Sequence, residues 1–309
     1  MNRSVFINHQ YKNKLLGKWL VNGTSVRGSA HLKSGAPNQD SLKWVISKLS
    51  DSIILAVADG HGGSMHFRSN IGSKLAVNVA TSVLDNFFSK PSIEFSNVSL
   101  YKDAIRFSLP RLIVNNWLDM VGDHVNKHPF SKREIQILSR KKGHKITEKV
   151  LQNPQIAYGS TLLITILTPE FVVFIQIGDG TILVTNANGN TFCPFDKIRC
   201  SISPSNESTI SLNDTESLCM DNSWLEFRTG IFTHCDLQPR LILLMTDGYS
   251  NSFGSDSDFF KIGSDYLNIL KEYGYTYLVR NLASILRQTS TKGSGDDITM
   301  GFLYNLYLN

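Results

Sequence analysis

Apolar residues in this chain fall into two kinds of block. Some are short and continuous: "IILAVA" (53–58), "GSTLLITIL" (159–167), "FVVFIQIG" (171–178) and "RLILLM" (240–245). Runs of this length, bounded by glycine, proline and polar residues, predict strands buried on both faces. Other apolar residues recur at helical spacing. Between Ser64 and Phe88, the positions Phe67, Ile71, Leu75, Val79, Val83 and Phe87 return every four residues, with Ala76, Ala80, Leu84 and Phe88 as a second stripe beside them. That pattern predicts a helix with a broad buried face. Residues 99–150 read as mostly helical, broken at Pro110 and Pro129, and 258–288 as two helices broken near Gly274.

The connections between strands point to antiparallel pairing. "GSTLLITIL" and "FVVFIQIG" flank only Thr168-Pro169-Glu170, and "TILVTN" and "NTFCPF" flank Ala187-Asn188-Gly189; both read as hairpins. Residues 196–223, rich in Ser and Asn, read as a long surface loop, and "ITMGFLYNLYL" closes the chain as a last strand. Antiparallel groups with helices inserted between them favour an α+β layered domain over a doubly wound parallel sheet.

Composition narrows the picture. The chain has 309 residues, 41% hydrophobic and 18% charged, too apolar and too weakly charged for a disordered chain. No apolar run is long enough to span a bilayer. "MNRSVFINHQYKNKLLGKWL" lacks the apolar core of a signal peptide, and four cysteines without a CxxC pair suit structural thiols, so a cytoplasmic protein is expected. The net charge of +5 is concentrated in Lys132–Lys149, where seven Lys/Arg stand against two Glu. Such a run is ordinarily a solvated helix face; a docking surface for an acidic or phosphorylated partner is the sharper alternative. No aromatic-interleaved basic motif accompanies it, which argues against nucleic acid.

The chemistry gathers at strand ends. Three apolar strands run into Asp-Gly, at Asp59-Gly60, Asp179-Gly180 and Asp247-Gly248; Asp296-Asp297 enters the last strand and Asp40 follows "GAPNQ". One Asp-Gly is a common turn, but several carboxylates at strand ends of one layered sheet can converge on one edge. Packed like charges repel unless cations neutralise them, and hard oxygen ligands without cysteine suit Mg²⁺ or Mn²⁺. Two such ions can clamp a phosphate and activate a water, and His61, next to Asp59-Gly60, is then placed as a general acid for the leaving oxygen.

"DGHGG" (59–63), "YGSTLLI" (158–164), "IGDGTILV" (177–184), "MTDGYSNSF" (245–253) and "GSGDDITM" (293–300) resemble, in order and spacing, the type 2C metal-dependent serine/threonine protein phosphatases, and "GSAHLKSGAPNQDS" (28–41) resembles the bacterial subgroup. The resemblance spans residues 28–302 of a single catalytic domain, 1–309. It implies a four-layer α-β-β-α sandwich, two central antiparallel sheets flanked by helices. It implies metal ligands at Asp40, Asp59, Gly60 (through its carbonyl), Asp247 and Asp296, with Asp59 bridging two Mn²⁺ or Mg²⁺ ions and Asp179 serving a more weakly bound third. His61 matches the general acid, Gly159, Ser160 and Thr161 the strand lining the cleft, and 189–235 a variable flap. The arginine that many members place about five residues before the first metal-site acid is replaced by Gly35; His31 and Lys33 are the nearby candidates to hold the substrate phosphate, with Arg27 further off.

The resulting expectation is a monomeric, cytoplasmic phosphatase that hydrolyses phosphoserine and phosphothreonine in proteins, opposing a cognate kinase, without membrane or nucleic-acid partners and without a covalent phosphoenzyme. Two alternatives stand beside it: a catalytically weak phosphoprotein-binding regulator, and a metal-dependent phosphatase of small phosphometabolites.

Overall fold

A computed structural model describes residues 18–90, 98–196 and 216–306. Among these residues, ten strands form two five-stranded sheets, every neighbouring pair antiparallel. One sheet has the order β1 (Trp19–Val26), β10 (Ile298–Asn305), β9 (Pro239–Met245), β6 (Thr181–Asn186), β7 (Thr191–Phe192); the other runs β2 (Ser41–Ser47), β3 (Ser52–Ala58), β4 (Leu162–Leu167), β5 (Phe171–Ile177), β8 (Arg228–Thr233).

The apolar runs are continuous because each central strand is covered twice. On β3, Ile53, Leu55 and Val57 face the other sheet, where they meet Trp19, Val21, Ile242, Leu244 and Leu303. Ile54, Ala56 and Ala58 point the opposite way, onto helices α2 (Ser69–Phe88) and α3 (Leu109–Lys127). The outer face of the first sheet, with Leu241, Leu243 and Phe302, is covered by α6 (Asp256–Glu272) and α7 (Tyr275–Lys292). The order of layers is therefore helix, sheet, sheet, helix, as the family resemblance implies.

Four local expectations shift. Helix α2 begins at Ser69, not at Ser64, because residues 61–68 form the loop that follows Asp59-Gly60. Its fully buried stripe is the alanine-bearing one, Ala76, Ala80, Leu84 and Phe88, while Ile71, Leu75, Val83 and Phe87 are only half-buried on the same core. Pro110 does not break the helical stretch: a π-type turn (Ala104–Ser108) leads directly into α3, and the proline sits in its first turn, where its missing N–H costs least. Pro129 does end it, and two shorter helices follow, α4 (Lys132–Lys142) and α5 (His144–Gln152). Strand β8 was not foreseen. Its sequence "RTGIFT" carries one apolar pair and a glycine, a weak pattern typical of a half-exposed edge. Of the long loop read over 196–223, residues 197–215 lie outside the described residues.

Candidate active site

The register of the sheets brings the acids together. In the β2–β3 pair Ser41 faces Ala58, so the next positions outward, Asp40 and Asp59, leave the sheet side by side. In the β9–β10 pair Met245 faces Met300, so Asp247, just past β9, lies beside the entry to β10, which Asp296 precedes. The two sheets are stitched at this edge: Thr246 Oγ1 donates to Asp40 Oδ2 at 2.8 Å and accepts from the Thr299 amide at 2.9 Å.

The electrostatics record how close the carboxylates are. Burial first, and then the neighbouring Asp297 carboxylate, push Asp40 up from 3.8 to about 8, against hydrogen bonds from Thr246 and Thr299. Asp59 is raised well above the carboxylate range by burial and by Asp40, Asp247 and Asp296; its carboxyl lies within hydrogen-bonding reach of Asp247. Asp296 is raised by burial and by Asp247, with the Asp297 amide opposing. Asp40 Oδ1 is buried with no hydrogen-bond partner. A carboxyl oxygen left so, inside a knot of carboxylates that repel one another when ionised, is a place where a cation could be held. The donors are oxygens with no thiol among them, the set that suits Mg²⁺ or Mn²⁺.

Backbone placement is equally constrained. The Asp59 carbonyl accepts from the Thr161 amide at 2.8 Å and from Ser160 Oγ at 2.9 Å, and the Asp59 amide donates to Thr161 Oγ1 at 2.9 Å. A Cβ on Gly60 would lie 2.6 Å from the carbonyl oxygens of both Gln39 and Ser69, so only glycine lets the chain pass between them. Ser160 and Thr161, named from the sequence as cleft-lining, thus act through the backbone that carries Asp59.

His61 sits at the mouth of the same edge. Its amide donates to the Gly159 carbonyl at 3.0 Å, and its ring lies edge-on to His66, centroids 5.2 Å apart. A Cβ on Gly159 would lie 2.9 Å from His61 Cδ2 and 2.6 Å from His66 Nδ1, so the glycine makes room for the histidine pair. Burial and then His66 lower His61 from 6.5 to about 4, while Asp247 pulls the other way; its Nε2 is buried and unpartnered. A cleft of about 680 Å³ opens beside it, lined by His61, His66, Lys149, Gln155, Cys219 and Asp221 among others.

The remaining sequence-predicted residues are placed less centrally. Asp179 stands exposed in the β5–β6 turn, next to Gly178, which packs against the Thr161 side chain. His31 lies on the short helix α1 (Ser29–Ser34), its Nδ1 2.9 Å from Asp297 Oδ2 but outside hydrogen-bond alignment, so the contact is electrostatic. The His31 carbonyl accepts from Arg27 Nη2 at 2.9 Å, and Lys33 is exposed on the last turn of α1. Among the described residues, His31, Asp296 and Asp297 each offer a ligand atom within 4.8 Å of one another.

Sequence reasoning did not assign Asp297 a role of its own. Its side chain is buried and accepts from the Gly28 amide and the Gln39 amide, both at 2.6 Å, tying the segment that carries Asp40 to the start of β10. Gln39 in turn donates to Ser69 Oγ at 2.6 Å. Arg68 was missed as well. Its guanidinium meets Glu134 at 2.8 and 3.1 Å, donates to the His128 and Pro129 carbonyls at 2.6 and 3.1 Å, and reaches Tyr158 Oη at 2.9 Å.

Residues 27–287 match the family model described as "Protein phosphatase 2C". Asp296 lies beyond that match, so its place beside Asp247 rests on the β9–β10 register. Comparison with curated proteins finds no match. Among solved structures, the fold resembles the S. agalactiae serine/threonine phosphatase (15% identity, TM-score 0.54, 93% of this chain and 99% of that one). It also resembles the catalytic domain of the serine/threonine phosphatase PstP in complex with two manganese ions (18%, 0.54, 93% and 98%) and Stp1 from Staphylococcus aureus (14%, 0.53, 92% and 94%). With a family model matched over most of its length and the layered fold to go with it, the chain belongs to the protein phosphatase 2C family.

Proposed function

We propose that this protein is a metal-dependent protein-serine/threonine phosphatase. The observation that carries the reading is the convergence of Asp40, Asp59, Asp247 and Asp296 at one sheet edge, with Asp40 Oδ1 buried and unpartnered, beside a histidine that faces an open cleft. Asp59 and Asp247, with Asp40, Asp296 and the Gly60 carbonyl, would hold two Mn²⁺ or Mg²⁺ ions, and Asp179 would serve a weaker third. Such ions supply charge neutralisation for a phosphate dianion and ease deprotonation of an attacking water.

The chain's own residues do the rest. Thr161 and Ser160 fix the Asp59 backbone, and Asp297 fixes the Asp40 segment, so the carboxylates are held ready rather than gathered on binding. His61 is neutral at pH 7 in the free protein. A phosphate dianion arriving next to its unpartnered Nε2 favours the protonated ring. That proton is then in place for the leaving serine or threonine oxygen. His31 and Lys33 remain the candidates for further phosphate contact at the edge of the site.

Its substrates would be phosphorylated proteins supplied by a kinase, encountered in the cytoplasm. No helix among the described residues is long and apolar enough to cross a membrane. The test is hydrolysis of a phosphoserine peptide with and without Mn²⁺, repeated with Asp59→Asn and Asp247→Asn. Mn²⁺-dependent release of phosphate, lost by orders of magnitude in both variants while their far-UV circular dichroism is unchanged, is expected. Near-normal turnover in either variant at saturating Mn²⁺ would sink the assignment.

A further inference from the structure

The α4–α5 hairpin carries more charge than the fold needs. Over residues 132–149 it presents Lys132, Arg133, Arg140, Lys141, Lys142, Lys145 and Lys149. All seven are exposed, and none of them meets a carboxylate within 4.0 Å among the described residues. Of the two acids of the run, Glu134 is engaged by Arg68, and the exposed Glu148 lies 3.4 Å from the His144 ring. Positive charge is therefore in large excess locally.

It is also aimed. Lys149 lines the cleft beside His61 and is close enough to ease ionisation of the Cys219 thiol on the cleft wall, though burial dominates and leaves that thiol raised. Lys142 is close enough to His66 to disfavour its protonated form. One acidic side chain, Asp221, appears among the lining residues. The hairpin does not swing freely over this cleft. Arg68, seven positions after His61, binds Glu134 of α4 and the two carbonyls that lead into it, and stacks on Phe130 with its guanidinium carbon 4.6 Å from the ring centroid. A held backbone spares the cost of ordering the hairpin when an oppositely charged chain binds, which leaves only the rotamer freedom of its cationic side chains to be lost. A lipid surface would ask for an apolar rim as well; the exposed large apolar side chains on this hairpin are only Ile137 and Leu151.

We infer that the α4–α5 hairpin recognises acidic residues flanking the phosphorylated serine or threonine, so that this protein acts on phosphosites set in Asp/Glu-rich segments. The inference deepens the phosphatase reading above and rests on it for the identity of the phosphosite. Exposed ion pairs are individually weak, so the selectivity comes from several acting together, and it fades with salt.

The test uses two phosphoserine peptides of the same core, flanked on both sides by glutamates in one and lysines in the other, with p-nitrophenyl phosphate as a substrate that has no flanks. At low ionic strength, kcat/KM for the glutamate peptide is expected to exceed that for the lysine peptide by about tenfold or more, through KM, and the ratio to shrink at 0.5 M salt. The double variant Lys142→Glu/Lys149→Glu is expected to collapse or invert the ratio. Both lysines are exposed, and thermal melting checks that the variant is folded. Peptide binding followed by fluorescence anisotropy separates the two readings. Hydrolysis of p-nitrophenyl phosphate with equal kcat/KM on both peptides, or a ratio that survives the double variant, overturns the role of the hairpin and leaves the phosphatase intact. Selective capture of the glutamate peptide without hydrolysis of any substrate keeps the hairpin's role and overturns the phosphatase. Displacement of the glutamate peptide by a duplex oligonucleotide at far lower concentration would reassign the surface to nucleic acid.

Discussion

At the scale of single residues, the acids were legible because their signal is local. A buried strand has no reason to end in Asp-Gly three times over, and Asp40, Asp59, Asp247 and Asp296 do meet. Asp297 was not legible as a clamp, because its partners, Gly28 and Gln39, lie 269 and 258 positions away and lend their amides, which no side-chain pattern records. His31 is similar: proximity in sequence to the absent arginine suggested a phosphate contact, whereas its nearest charged neighbour is the buried Asp297. His61 yields a prediction at this scale. Depressed to about 4 by burial, it gives up its proton readily once charged, which suits a donor to a strongly basic alkoxide. His61→Gln should therefore cost about 10²-fold or more on a phosphoserine peptide and far less on p-nitrophenyl phosphate, whose leaving group needs little help. Equal losses on the two substrates in steady-state assays would mean that the ring only fills space beside His66.

At the scale of elements, long buried strands and the two C-terminal helices could be read directly, since continuous apolar runs and the break at Gly274 leave few alternatives. What could not be read was how elements lean on one another. Edge strand β8 takes its place through pairing with β5, from Phe171 opposite Thr233 to Gln176 opposite Arg228, and not through its own weak pattern. The seating of α4 depends on Arg68 in the same way. Glu134 caps α4, where Ser131 Oγ accepts its amide at 3.2 Å and its carboxylate accepts the Ser131 amide at 2.7 Å, and it also receives Arg68. Burial alone would raise Glu134, yet the hydrogen bonds from Arg68 and Ser131 win and hold it at about 2. Arg68→Ala strands two carbonyls and takes the guanidinium away from a carboxylate that keeps only its Ser131 partners. It should cost about 2–3 kcal/mol of unfolding free energy by denaturant titration. It should also raise hydrogen exchange in 128–152 more than in the sheets. A destabilisation below about 0.5 kcal/mol would show that the hairpin is held by its apolar contacts alone.

At the scale of the whole molecule, the two sheets are joined not only by their shared core but by a knot of carboxylates that is unfavourable to build in its ionised form. The sequence announced the layers, through two-sided burial, and it announced the acids; it could not announce that closing the sandwich forces those acids into contact. This coupling has a thermodynamic consequence. Asp40 titrates at about 8 in the folded ion-free protein against 3.8 ordinarily, and Asp59 is raised as well. Between those values the folded state holds protons that the unfolded chain has released, so ion-free stability falls as pH rises, by up to about 1.4 kcal/mol per pH unit for each carboxylate still protonated. The depressed histidines, His61, His66 and His124, act in the opposite sense, since the unfolded chain binds the proton more tightly; their contribution is complete by about their ordinary value of 6.5. The window in which the acids act alone is therefore about pH 7 to 8. With EDTA present, the melting temperature should drop across that window by several degrees. With Mn²⁺ present the drop should vanish or reverse, because cations bind the deprotonated carboxylates and stabilise the state that holds them. Asp40→Asn, which removes one of the titrating groups, should flatten the EDTA curve. An ion-free melting temperature that stays level or climbs from pH 7 to 8, measured by scanning calorimetry, would mean that the carboxylates at the sheet edge are relaxed without cations and that ion binding is not what the closure of the sandwich has prepared.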